Sequence, residues 1–302
     1  MNHIYGRREF VRTAVAGAGS LLAAGGFSGV SAAPSPAKAG DLVTLGSTGI
    51  KASLLAQGTG FNGSARSSEH TRLGLQAFDS LVRHSFDKGI NFMDAADLYG
   101  SHPFLRDALK GIPREKYVLL SKIWPRQESW NAASGGANQE VDRFRKELAT
   151  DTIDICLIHC MTDSNWPQTF ARVRDELSGL KQKGVVRSVG VSCHDLGALK
   201  VAASDPWVDV ILARINYQGG GRYSMDGTAD EVSQVLKSAR KSGKAVVGMK
   251  IFGAGRLVQP EEKDASLKYV LGNGLVDAMT IGMLTPAQVD DTTDRIARAL
   301  RA

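Results

Sequence analysis

The sequence predicts a (β/α)₈ barrel of the TIM type, with parallel strands, preceded by a short β-hairpin that plugs the barrel bottom. Three observations carry this. Beyond Asp41, short apolar runs alternate with amphipathic helical patterns eight times in roughly 250 residues. The runs are continuously apolar, as parallel strands buried on both faces require. Polar residues capable of chemistry gather where those runs end, which in a barrel is one face. A doubly wound open sheet would more often carry five or six strands.

The elements follow in order. Leu42-Val43-Thr44-Leu45, the turn Gly46-Ser47-Thr48-Gly49 and Ile50-Lys51-Ala52-Ser53 read as the hairpin. The predicted barrel strands are Leu54–Gln57, Asn91–Met93, Tyr117–Ser121, Ile153–Ile158, Arg187–Val191, Val208–Leu212, Ala245–Met249 and Ala278–Ile281. The spacing predicts helices over Thr71–Lys88, Pro103–Leu109, Asn138–Ala149, Pro167–Lys183, Leu196–Ala203, Ala229–Ser242, Lys263–Leu271 and Pro286–Leu300. One motif argues for an open sheet: Gly58-Thr59-Gly60-Phe61-Asn62-Gly63 spells G-x-G-x-x-G after a strand. A dinucleotide-binding helix would open on the third glycine. Here Ser64–His70 is polar, so the stretch reads as a barrel loop able to bring Thr59 and Gly60 to a ligand.

Residues 1–39 read as a leader rather than as part of the fold, leaving 40–302 as the barrel. Gly6-Arg7-Arg8-Glu9-Phe10-Val11-Arg12 precedes a weakly apolar Ala/Gly-rich run from Thr13 to Val30 and small residues that offer cleavage near Ala32 or Ala39. The paired arginines resemble a twin-arginine signal, which implies export of a folded protein to a bacterial periplasm by the twin-arginine machinery. An uncleaved membrane anchor is the weaker alternative, because the run is glycine-rich.

Across the 302 residues, 43% apolar and 23% charged content is that of an ordinary soluble enzyme. Residues 1–32 carry three arginines and one glutamate, so removing them leaves +4 of the formal +6. No basic run is interleaved with aromatics, which argues against nucleic-acid binding. Three cysteines, Cys156, Cys160 and Cys193, exclude a disulfide scaffold. Cys160 and Cys193 end neighbouring strands and lie within reach of a disulfide, although unpaired thiols are the preferred reading. A Cys156/His159/Cys160 metal set is disfavoured, since His159 takes the opposite strand face, and no metal is expected.

The chemistry is read from the strand ends. The second barrel strand delivers Asp94, with Tyr99 in its loop; the third delivers Lys122 and the fourth His159. A lysine closing an apolar strand is costly to bury unless it meets an anion, and Asp94 is the near one. That cation would lower the Tyr99 phenol from its ordinary ~10. A phenol so tuned exchanges a proton with a developing alkoxide, while His159 donates to the same oxygen.

Asp94-x4-Tyr99 after Gly89-Ile90-Asn91-Phe92, then Lys122, then Leu157-Ile158-His159, resembles the aldo-keto reductase family over nearly all of 45–292. Leu45–Ser53, Gly184–Ser192 and Gly282-Met283-Leu284-Thr285-Pro286 extend the likeness. The resemblance implies hydride transfer between NADP or NAD and a small carbonyl or alcohol substrate. Tyr99 is then the general acid/base, Lys122 tunes it, Asp94 holds Lys122 and His159 orients the carbonyl. A second reading is a nucleotide-sensing barrel with little turnover.

The resemblance also marks departures. Where the family holds the nicotinamide amide with Ser, Asn and Gln, this chain has Ser192, Cys193 and Arg214. The loop Lys250-Ile251-Phe252-Gly253-Ala254-Gly255-Arg256-Leu257 would take the pyrophosphate. Where NADP-preferring members place Lys and Arg, the chain has Gly282 and Gln288, with Thr285 and Asp291 nearby, so relaxed NADP specificity and use of NAD are expected. Trp124, Trp130, Tyr217 and Tyr223 are candidate pocket walls, and the expected state is a monomer or small homo-oligomer.

Overall fold

The computed structural model describes residues 36–126 and 136–302. Residues 1–35 of the proposed leader, and Trp130, lie outside those residues. Strands β1 (Leu42–Thr44) and β2 (Lys51–Ser53) form the antiparallel hairpin. Eight parallel strands follow: β3 (Leu55–Gly58), β4 (Phe92–Asp94), β5 (Val118–Ile123), β6 (Ile153–Met161), β7 (Val186–Cys193), β8 (Val210–Arg214), β9 (Ala245–Met249) and β10 (Ala278–Ile281). They close in chain order, with β10 pairing β3. The predicted barrel is the observed fold.

Two apolar layers follow from the two faces of each strand. Ala56, Phe92, Leu120, Ile155, Leu157, Leu212 and Val247 fill the barrel interior, where Leu45, Ile50 and Ala52 of the hairpin join them as the plug. The larger layer, between strands and helices, takes Val191, Cys193, Ile211 and the inner faces of the helices. Burying one such aliphatic side chain contributes about 1.5–3 kcal/mol.

Four boundaries depart from the sequence reading. The helix predicted over 71–88 is two, α1 (Glu69–Arg72) and α2 (Leu75–Asp87), because Gly74 takes φ +82° at the break. The one predicted over 167–183 divides at Phe170 into α5 (Trp166–Thr169) and α6 (Ala171–Gln182). The helix predicted from Lys263 begins earlier, at Pro260, where Gln259 and Glu262 form a reciprocal cap. The strand predicted over 153–158 runs on to Met161. Ala39 is buried and its carbonyl accepts the Leu55 N–H at 3.0 Å.

The helices that bear on the site are α3 (His102–Ala108), α4 (Ala137–Leu148), α7 (Leu196–Ser204), α8 (Ala229–Lys241), α9 (Pro260–Gly272) and α10 (Pro286–Ala299). One irregularity also shapes it. Ile158 pairs with Val191 and Met161 with Cys193, so His159 and Cys160 together oppose Ser192. This is a β-bulge, which leaves the extra residue unpaired and bends the strand. Cys160 takes the left-handed conformation at φ +67°, and its N–H donates to Ser192 Oγ at 2.7 Å.

Candidate active site

Asp94 closes β4, and Lys122 lies one residue before the end of β5, fully buried. Lys122 Nζ forms a short ion pair with Asp94 Oδ1, donates to the Ala95 carbonyl at 2.8 Å and reaches Tyr99 Oη at 3.4 Å. The same ammonium stands 4.7 Å from the centre of the Tyr99 ring. The second Asp94 oxygen accepts from Thr280 Oγ at 2.9 Å, so both oxygens of the buried carboxylate are satisfied. Thr280, on β10, was not singled out from the sequence. Its only signal there is a hydroxyl inside the apolar run Ala278-Met279-Thr280-Ile281.

Burial overrides the expected fall of the tyrosine pKa. Enclosure of Tyr99, with the Asp94 charge beside it, pushes the phenol well above its usual value. Burial likewise lowers Lys122, against the pull of Asp94. In the ligand-free barrel Tyr99 is therefore a protonated phenol, equipped to give a proton. Burial and the nearby cations, Lys122 foremost, hold His159 well below the usual imidazole range and so neutral. Its ring stands edge-on to Tyr99 and to Trp124, with centroids 5.6 and 5.5 Å away.

The glycines of G-x-G-x-x-G serve Tyr99. A Cβ on Gly60 would lie 2.3 Å from the Tyr99 ring, and one on Gly63 2.5 Å from it. Both distances are far inside contact, so the loop can cover the ring only with hydrogen at those positions. Thr59 does not line the cavity described below. It is fully buried, and its hydroxyl donates to the Asp94 carbonyl and bonds Ser101 Oγ, both at 2.8 Å.

A charged network braces the turn that carries Tyr99. Asp97 is fully buried and bonds both nitrogens of Arg143 on α4, at 2.9 and 2.8 Å, with Arg66 Nε at 3.3 Å. Glu147, also on α4, bonds Arg66, Arg143 and His102 Nδ1, the last at 2.8 Å. His102 Nε2 then meets Ser121 Oγ at 2.8 Å, next to Lys122. Residues on both sides of Tyr99, and the one before Lys122, are thus tied to a single helix.

Beside Tyr99 and Asp94 opens a cavity of about 280 Å³. It runs along the loop Lys250–Val258 to Gly282, Leu284 and the first turns of α10. Of the residues predicted to hold a cofactor, Gly60, Lys250, Phe252, Gly282, Gln288 and Asp291 line it. Gly253 is buried behind them at φ +58°, against Leu257 and Tyr223. Thr285 caps α10 instead, accepting from the Gln288 N–H at 3.2 Å. Lys263, Phe61 and Met283 line the cavity and were missed, because only packing brings α9 and the Phe61 loop here.

The three residues at the predicted amide site part company. Ser192 faces the barrel mouth and holds the bulge. Cys193, one residue on, takes the opposite face and packs with Val189 and Val191, so it does not contact a ligand in the mouth. Arg214 continues the interior face above Leu212, but its guanidinium is committed: it pairs with Asp226 and donates to the His194 carbonyl at 2.7 Å. The three cysteines are free thiols.

A half-buried proton-donor tyrosine, a lysine–aspartate pair behind it, a neutral histidine across from it and a long adjoining cleft define a nicotinamide-dependent carbonyl oxidoreductase. The chain belongs to the aldo/keto reductase family, whose model matches residues 58–294. It is similar to L-galactose dehydrogenase of Arabidopsis thaliana, 25% identical over 287 residues covering 83% of this chain and 86% of that protein. It is also similar to 6-dehydroglucose reductase of Novosphingobium aromaticivorans, 31% identical over 240 residues covering 72% and 70%. Among solved structures, an aldo-keto reductase from Bacillus halodurans in its holo form has a TM-score of 0.67 at 20% identity, covering 86% of this chain and 95% of that one. One from Klebsiella pneumoniae in complex with NADPH has a TM-score of 0.63 at 18% identity, covering 87% and 91%. These two likenesses concern the fold.

The residues present fit such a cofactor. Gly58, Gly60 and Gly282 expose backbone to the cleft, and Lys250 and Lys263 bring two cations to its wall. When bound, the cofactor gives or accepts the hydride; the chain supplies the proton and the alignment.

Proposed function

We propose that this oxidoreductase acts on a polyhydroxylated, sugar-like substrate, at its carbonyl or hemiacetal hydroxyl carbon. In reduction, Tyr99 Oη gives its proton to the substrate oxygen as negative charge develops there, and in oxidation it takes that proton back. Lys122, fixed by Asp94 and the Ala95 carbonyl, faces the phenolate that results and compensates its charge. Neutral His159 carries one N–H donor for the same oxygen. The observation that carries the hydroxylated class is a surplus of donors around His159. Trp124 Nε1, whose ring stands edge-on to His159, and His159 Nδ1 are buried and have no hydrogen-bond partner among the described residues. Donors left unpaired are costly unless a ligand oxygen meets them. Relatives named L-galactose dehydrogenase, D-threo-aldose 1-dehydrogenase and 6-dehydroglucose reductase support the same class.

A substrate panel tests this. Trp124→Phe should lower kcat/KM for sugars about tenfold, the worth of one hydrogen bond, and leave unsubstituted aliphatic aldehydes nearly unchanged. Equal loss on both classes would contradict it.

We also propose that the leader directs twin-arginine export. The Arg7-Arg8 pair and the small-residue exit support it, and the buried Ala39 favours cleavage near Ala32 over Ala39. Replacing both arginines with lysine should leave the protein in the cytoplasm; unchanged periplasmic recovery would contradict this.

A further inference from the structure

The charges lining the cavity point to its preferred dinucleotide. Asp94, Lys250, Lys263 and Asp291 are the charged residues of the lining. Asp94 is committed to Lys122, and Asp291 accepts from Arg295 Nε through both oxygens, at 3.0 and 2.9 Å. Two cations remain. Lys250 opens the loop after β9, and Lys263 stands over the Phe252 ring of that loop at 5.8 Å. Neither has a carboxylate partner among the described residues. Together they give the cavity wall two cations, which match the two negative charges of a pyrophosphate.

Tyr99 fixes the nicotinamide end, so the adenosine must lie beyond the pyrophosphate, where Leu284, Gln288, Asp291 and Thr292 line the wall. None of these four residues is a cation. A side chain at Gly282 would press on His70 and Phe61, at 3.2 and 3.4 Å from its Cβ. His70 is fully buried, and burial lowers it to about 4, so it brings no charge. Gln288 uses its side-chain oxygen to accept the Leu284 N–H at 2.7 Å. Arg295, one turn beyond Asp291, is held by that carboxylate, by Asp264 at 2.7 Å and by the Pro260 carbonyl at 3.0 Å. Arg256, on the pyrophosphate loop, is turned to solvent and does not line the cavity.

We propose that the adenosine end of this cavity selects NAD(H) over NADP(H), with Gln288 and the Asp291–Arg295–Asp264 group as the specificity-determining residues. A 2′-phosphate carries about −1.5 to −2 charge at neutral pH. Here it meets a carboxylate and an amide, and the nearest guanidinium is already neutralised by two aspartates. A free ribose hydroxyl asks for no cation. The inference rests on the nicotinamide-dependent reading of the site and deepens it.

Binding to the purified barrel, measured by calorimetry without any substrate, tests it. NADH should bind at least tenfold tighter than NADPH, and 5′-AMP tighter than 2′,5′-ADP. Gln288→Arg should raise affinity for 2′,5′-ADP about tenfold while changing 5′-AMP less than twofold; Gln288 is exposed, so the variant should fold. Asp291→Asn should shift the same ratio in the same direction by releasing Arg295. Wild-type NADPH binding as tight as NADH, or a Gln288→Arg variant that strengthens both mononucleotides equally, would overturn the proposal. Failure of every dinucleotide to bind would instead overturn the cofactor reading on which it rests.

Discussion

Tyr99 is covered by two glycines, faced by one ammonium and edged by one imidazole, and each contact makes a prediction. Gly60→Ala would place a methyl group 2.3 Å from ring carbons of Tyr99, so the ring or the loop must move. Displacing a catalytic group by about 1 Å can cost ~100-fold in rate. We expect kcat to fall by about that factor, read by steady-state kinetics. Thr280→Val strips one hydrogen bond from a buried carboxylate and should cost about 1–3 kcal/mol in denaturant unfolding. Burial keeps the Tyr99 phenol protonated and His159 neutral, so reduction should show no limb near pH 6.5 and should decline only in alkali. At this scale the tetrad was legible because carboxylate, phenol, ammonium and imidazole are poor choices for strand ends unless they work together. Thr280 and the purpose of Gly60 and Gly63 were not, because clearance around a ring exists only after folding. The expected lowering of the Tyr99 pKa weighed the Lys122 charge and left out desolvation, which is larger.

The 3₁₀ turn Asp97–Tyr99 and helix α4 behave as one element joined by ion pairs. Asp97→Ala removes the carboxylate between Arg66 and Arg143 and leaves Arg143 partly buried beside nothing but Glu140 and Glu147. Breaking such a pair costs on the order of 3 kcal/mol. Because the turn carries Tyr99, kcat per folded molecule should fall as well, while Asp97→Asn, which keeps the shape, should be milder in both. Equal stability of all three proteins by thermal melting would contradict this account. Strand and helix order was legible from apolar spacing. The breaks at Gly74 and Phe170 were not, since helical periodicity passes through them. The bulge at His159–Cys160 was also invisible: it depends on Ser192 in the neighbouring strand. Cys193, expected in the mouth beside Ser192, belongs to the outer layer because successive strand residues face opposite sides.

Around the closed barrel of the described residues, burial holds two histidines neutral, and this sets its response to acid. Burial lowers His70 to about 4 and His194 to about 3, whereas an unfolded chain protonates both near ~6.5. Below pH ~6.5 the unfolded state therefore takes up protons that the folded state refuses. Stability is complete above that pH and is lost as pH falls, by up to ~1.4 kcal/mol per unit for each histidine. Glu147, held near about 2 by His102, Arg143 and Arg66 against its burial, adds a further loss below pH ~4.5. Melting temperature should drop steadily from pH 7 to 4, and His70→Gln should flatten the curve; a flat wild-type curve would contradict it. The closed topology was legible because eight units leave no other economical arrangement. The cavity was legible only in part, since Lys263 and Phe61 reach it through packing between distant segments. The central claim is that Tyr99 supplies the proton at the end of a dinucleotide cleft, and single-turnover oxidation of bound NADH by a sugar aldehyde tests it most directly. Tyr99→Phe should bind NADH as the wild type does and lose turnover by about 10²–10⁴-fold. Turnover that survives the substitution, or a wild type that binds NADH and turns over none of the panel, would contradict it.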